Sequence, residues 1–198
     1  MSDQVPEGGE PVVGGLKVHA SIFGATRGDR CVLAECKGAC CRNGIWVDEG
    51  HIARVRARAA EVVPQMEPER RDPALWFSMG ELMESADFPT GRGRPTEVII
   101  DPDDESKDAC IFLRRDFLCA LQLTAPELKP FDCYTYPVLR SDGELTMDLT
   151  SPKELGGADC QRACTPQRSV LEVFEIELRT ALGDVDLLAL QAVAAQRL

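Results

Sequence analysis

The sequence lacks any basic run with interleaved aromatics, and Lys+Arg number only 22 against 33 Asp+Glu. The formal net charge is -11, so the chain repels phosphate backbones, and neither nucleic acid nor an anionic membrane surface is an expected partner. No apolar run approaches the length that crosses a bilayer, and the N-terminal MSDQVPEGGEPVVGG carries acids where a secretory leader carries bases. No internal repeat is present. No CxxC pair is present either, which weakens a thiol-redox reading. Histidine is scarce at two residues, and no Ser-His-Asp or paired-carboxylate constellation stands out. These absences predict a cytoplasmic protein in a reducing compartment, where disulfides do not persist.

Against that background, nine cysteines in 198 residues are the dominant feature. The count is odd, so they cannot all pair within one chain. They fall into four groups. Cys31, Cys36, Cys40 and Cys41 form C-x4-C-x3-C-C; Cys110 and Cys119 form C-x8-C; Cys133 stands in C-Y-T-Y-P; Cys160 and Cys164 form C-x3-C. Clustered thiolates suit zinc, copper(I) and iron–sulfur clusters. Ordinary zinc fingers use two pairs spaced two to four residues apart, and only part of this set fits that form. Nine thiols could supply two four-thiolate sites with one to spare, or one site plus structural or catalytic thiols. Adjacent side chains diverge along a regular chain, so Cys40 and Cys41 are expected to serve different roles.

The order C-x4-C-KGA-C-C, then C-I-F-L…C, then C-x2-Y-P, resembles the YkgJ-type cysteine-cluster family, described as zinc- or iron-chelating domains with a consensus of the kind CxxCxxxxCC. The resemblance is greatest to bacterial members with CKGACC and a further C-terminal cysteine pair. It spans roughly residues 16–165. Relatives in that family include the flagellin lysine methylase, which uses a [4Fe-4S] cluster. The resemblance thus implies that all nine cysteines belong to a metal-binding set, most simply one or two [4Fe-4S] clusters, with zinc the alternative. It does not carry the methylase activity over, because function sits in the site rather than the fold. The chain departs from the family in its first spacing, x4 rather than x2, and in lacking the usual glycine between Cys110 and Cys119.

Two functional expectations compete: an iron–sulfur protein supporting group transfer or redox chemistry on an unidentified substrate, and a zinc-binding structural or interaction protein without catalysis. His19 and His51 belong to no His/Cys spacing and are expected not to be ligands. Tyr136 is expected to be a packed tyrosine bonded to a backbone carbonyl. The acidic run 101–108 lacks the glycine and terminal glutamate of a calcium loop and reads as solvated. GRGRP at 91–95 is followed by no Lys-Ser/Thr and reads as a loop, not a phosphate site.

The predicted fold is α+β: a tail over residues 1–15, then one metal-centred domain over 16–198 with short antiparallel strands and flanking helices. Alternation predicts strands at 16–22, 97–100 and 143–150, and a hairpin joining 110–113 to 117–119. Helical spacing predicts a helix capped by Asp48 and stopped by Pro64, short helices near 79–86 and 120–130, and two C-terminal helices separated at Gly183, the second capped by Asp184.

Overall fold

The computed structural model describes residues 9–26, 33–104, 107–148 and 168–197. The fold is α+β, with short strands in three small sheets and short helices around them.

The first sheet contains β1 (Val12–Val13), β2 (Leu16–Val18), β8 (Val138–Ser141) and β9 (Glu144–Met147), in the order β1-β2-β9-β8. Gly14-Gly15 and Asp142-Gly143 turn its two hairpins, and all four residues have positive φ, as tight two-residue hairpin turns require. The strands β2 and β9 run parallel, in register Lys17↔Glu144 and Val18↔Leu145; the other strand pairs are antiparallel. Part of the expected tail is therefore a strand, with Val13 buried. The strand expected to reach residue 22 stops at Val18. There His19 accepts the Ser21 N–H through Nδ1 and starts a 3-10 turn over Ala20–Phe23, which turns Ile22 into the core.

The second sheet contains β3 (Trp46–Asp48), β4 (Met83–Glu84) and β5 (Arg92–Pro95), with β5 in the middle. Two expectations fail here. GRGRP is the central strand rather than a loop: the buried Gly93 lies against the Phe88 ring, where a Cβ would come within 2.5 Å of Cζ. The segment near 79–86 is extended rather than helical, because the Arg94 guanidinium takes the Met79 and Glu81 carbonyls that a helix would need. The third sheet pairs β6 (Val98–Ile99) with β7 (Ala109–Cys110). The expected hairpin reduces to one bridge, Leu113↔Cys119, because the ladder partner of Cys110 is Val98.

Asp48 caps helix α2 (Glu49–Ala57) as expected, accepting the Gly50 and His51 N–H groups. Among the remaining helices are α1 (Leu33–Cys36), α3 (Ala59–Val62), α4 (Ala120–Thr124), α5 (Phe131–Thr135), α6 (Val170–Val173), α7 (Glu175–Leu182) and α8 (Asp184–Ala195). The run after Asp48 breaks at Arg58, and its α-helical part ends at Val62; Pro64, expected to stop it, instead lies in a 3-10 turn over Val63–Gln65 that follows directly. Gly183 separates the last two helices, but Asp184 is the first residue of α8 and pairs with Arg179 instead of capping. No described helix is long and apolar enough to cross a membrane.

Buried side chains form two clusters. One gathers α2, the aromatics Trp76, Phe77 and Phe112, and α4. The Phe112 ring meets Trp76 at 5.4 Å and Phe77 at 5.6 Å. Each such buried ring contributes about 1.5–3 kcal/mol of burial. The other packs the inner face of the first sheet (Val18, Val138, Leu145) against α6, α7 and α8.

Candidate metal centre

Cys31, Cys160 and Cys164 lie outside the described residues. The other six come from five places in the fold. Cys36 ends α1; Cys40 and Cys41 form a 3-10 turn over Ala39–Cys41; Cys110 ends β7; Cys119 precedes α4; Cys133 lies in α5. All six line a single cavity of about 420 Å³. No two of the six are joined as a disulfide.

Local chemistry explains how these segments meet. Lys37 and Gly38 both adopt left-handed backbone, with φ of 52° and 66°, and reverse the chain between Cys36 and Cys40. A Cβ on Gly38 would lie 3.0 Å from Leu113 Cδ1, so the glycine also lets this turn sit against the 110–119 segment. That segment curls back through Phe117, at φ 65°. The Ala120 N–H reaches the Phe112 carbonyl and seats Cys119 at the start of α4. Cys110 is held by β6 and donates to Thr96 Oγ1 at 3.5 Å, while the same oxygen accepts the Ile45 N–H at 3.0 Å.

The expected divergence of Cys40 and Cys41 is not what the structure has. In their tight turn the two sulfurs are 4.0 Å apart and both line the cavity. Their acidities split. The Cys41 thiol, donating to Cys40, holds Cys40 down at about 7, with burial opposing and the Lys129 ammonium helping. Cys41 is raised, first by that bond and then by burial. Burial pushes Cys110 up to about 11, and burial followed by the nearby Cys110 and Cys119 raises Cys133. Buried thiols that raise one another's pKa resist ionisation until a cation offsets their charge, as a thiolate-bound metal does.

The other singled-out residues behave as follows. Tyr136 lines the cavity and donates to the Asp148 carboxylate at 2.7 Å, not to a backbone carbonyl. His51 is buried and stands apart from the thiols, with Nε2 2.8 Å from the Leu128 carbonyl and Nδ1 2.9 Å from the Arg54 guanidinium. With both ring nitrogens engaged it has no lone pair to offer a metal. In the acidic run, Asp101 accepts the Asp103 and Asp104 N–H groups and Asp108 accepts that of Asp101, so these carboxylates shape their own loop. Sequence reasoning missed Thr96, Lys129 and Phe117 at the cavity; a threonine, a lysine and a phenylalanine carry no motif that marks them.

The donor set can be compared with the two metals. A single tetrahedral zinc with Zn–S near 2.3 Å would hold its sulfurs about 3.8 Å apart. Among the described residues, no three cysteine sulfurs lie within 4.8 Å of one another. A cubane cluster spreads its four thiolates further, because each binds a different iron. Six thiols spaced around a roomy cavity with mostly apolar walls fit the larger group.

The chain matches no protein-family model, no curated protein and no solved structure.

Proposed function

We propose that this protein binds an iron–sulfur cluster, of [4Fe-4S] type, through cysteine thiolates. The observation that carries the reading is the convergence of Cys36, Cys40, Cys41, Cys110, Cys119 and Cys133 on one cavity from separated parts of the chain. Four thiolates complete a cubane, so six exceed the need of one cluster and leave two for its surroundings. The resemblance to the YkgJ-type family points the same way. Zinc is the weaker reading, because the described sulfurs would have to close in to share one ion.

The cluster would supply electron transfer, or Lewis acidity at an iron not saturated by protein. Around it this chain contributes Lys129, whose charge favours the thiolate of Cys40, and Tyr136, held by Asp148 on the cavity wall. The substrate, if the centre is catalytic, is a group that fits beside the cluster against Phe117, Leu118 and Tyr134.

Purification without oxygen tests the reading. The protein should be brown, with broad visible absorption and iron and acid-labile sulfide in equal amounts. Stoichiometric zinc without sulfide would overturn iron–sulfur in favour of zinc; metal-free protein with all thiols titratable would overturn both.

A further inference from the structure

We propose that Lys129 sets the reduction potential of the cluster in the thiol cavity, holding a positive charge beside it so that it takes up an electron more readily. This rests on the iron–sulfur reading above. Among the described residues that line the cavity, Lys129 is the only cation and Glu177 the only carboxylate; the others are thiols, neutral polar groups and apolar side chains. The chain around them is acidic, at a net charge of -11. Each electron added to a cluster held by thiolates adds a further negative charge, so both the thiolates and the acidic chain oppose reduction, and a cation in the cavity offsets them.

The chain builds a mount for this charge. Lys129 follows the 3-10 turn over Pro126–Leu128, with its N–H on the Pro126 carbonyl at 3.1 Å, and Pro130 after it favours its extended backbone, at φ -67° and ψ 131°. Its side chain is held by neutral partners: Nζ donates to Gln122 Oε1 at 3.1 Å and lies 5.2 Å from the centre of the Tyr134 ring. The Tyr134 hydroxyl is anchored in turn on the Pro126 carbonyl at 2.8 Å. Among the described residues no carboxylate pairs with Lys129, and the residue is half-buried. A half-buried ammonium with only neutral partners is costly to keep, and an anionic cluster in the cavity supplies the missing charge. The ammonium already acts on two of the thiols. After the Cys41 bond and burial it is the next influence on Cys40, where it favours the thiolate, and it opposes the burial and the neighbouring thiols that raise Cys133.

The test varies the charge at this one position. The full-length protein and its Lys129→Arg, Lys129→Gln and Lys129→Glu variants are purified without oxygen. Iron and acid-labile sulfide are measured in each, and each is titrated with dithionite as electron donor while the visible absorption is followed against potential. Iron and sulfide should match the parent in all three variants. Lys129→Arg keeps the charge and should keep the midpoint. Lys129→Gln should make reduction roughly tenfold less favourable, a fall of about 59 mV for one electron, and Lys129→Glu should lower the midpoint further. A midpoint in Lys129→Gln equal to that of the parent would overturn the inference and leave the cluster reading intact. So would an arginine variant that falls as far as the glutamine one, since shape and not charge would then be at work. Loss of iron and sulfide from Lys129→Gln would also overturn it, making the lysine part of cluster assembly. Parent protein without iron and sulfide would overturn the cluster reading itself, and this inference with it.

Discussion

The Lys37-Gly38 reversal gives two substitutions of opposite sign from one geometry. Gly38 has φ 66°, and an L-residue there costs about 1–2 kcal/mol. Gly38→Ala recovers about 0.4–1 kcal/mol by restricting the unfolded chain. It then places a Cβ 3.0 Å from Leu113 Cδ1, and that buried side chain must give way. The net expectation is a loss of about 1–2 kcal/mol. Lys37 is exposed at φ 52°, so Lys37→Gly removes the same strain at the usual entropic cost of glycine. The net expectation is a gain of about 0.5 kcal/mol. In urea, with a slope of about 2 kcal/mol per molar, the Gly38→Ala midpoint should fall by about 0.5–1 M and that of Lys37→Gly should rise by roughly 0.3 M. Iron content should drop in Gly38→Ala, because the turn carries Cys40 and Cys41. A Gly38→Ala midpoint equal to or above that of the parent would refute the left-handed turn and with it the placement of these two cysteines.

Three other expectations concern the surroundings. Thr96→Val keeps the shape but strands the Ile45 N–H, and should cost about 1–3 kcal/mol in denaturant unfolding. His51 is depressed below its ordinary 6.5, chiefly by burial, so the unfolded state gains a proton first as pH falls. Stability should therefore decline below about pH 6.5, and His51→Gln should flatten that decline in thermal melts between pH 7 and 5. Leu190→Ala in the second core cluster should cost about 2–5 kcal/mol while the folded fraction keeps its iron, since Leu190 does not line the cavity.

The sequence made the α+β class legible, along with the elements whose signals are chemical. Asp48 is a side-chain cap, the alternation of 143–150 yields a strand at Glu144–Met147, and Gly183 divides two helices. What it hid depends on distant partners. Arg92–Pro95 reads as a loop until β3 and β4 flank it, and Met79 to Glu81 read as helical until Arg94 claims their carbonyls. The parallel pairing of Leu16–Val18 with Glu144–Met147 has no local signature, because it joins segments far apart in the chain. For the thiols, spacing marked the residues but misjudged Cys40 and Cys41, because a regular-chain argument does not describe a 3-10 turn entered through two left-handed residues.

The central claim is that the thiols around the cavity share one iron–sulfur centre. Its most direct test is iron and acid-labile sulfide per chain in six single variants purified without oxygen: Cys→Ser at 36, 40, 41, 110, 119 and 133. The account expects iron and sulfide to fall together in at least three of the six, with Cys110→Ser and Cys133→Ser among them. Parental iron and sulfide in all six would contradict it.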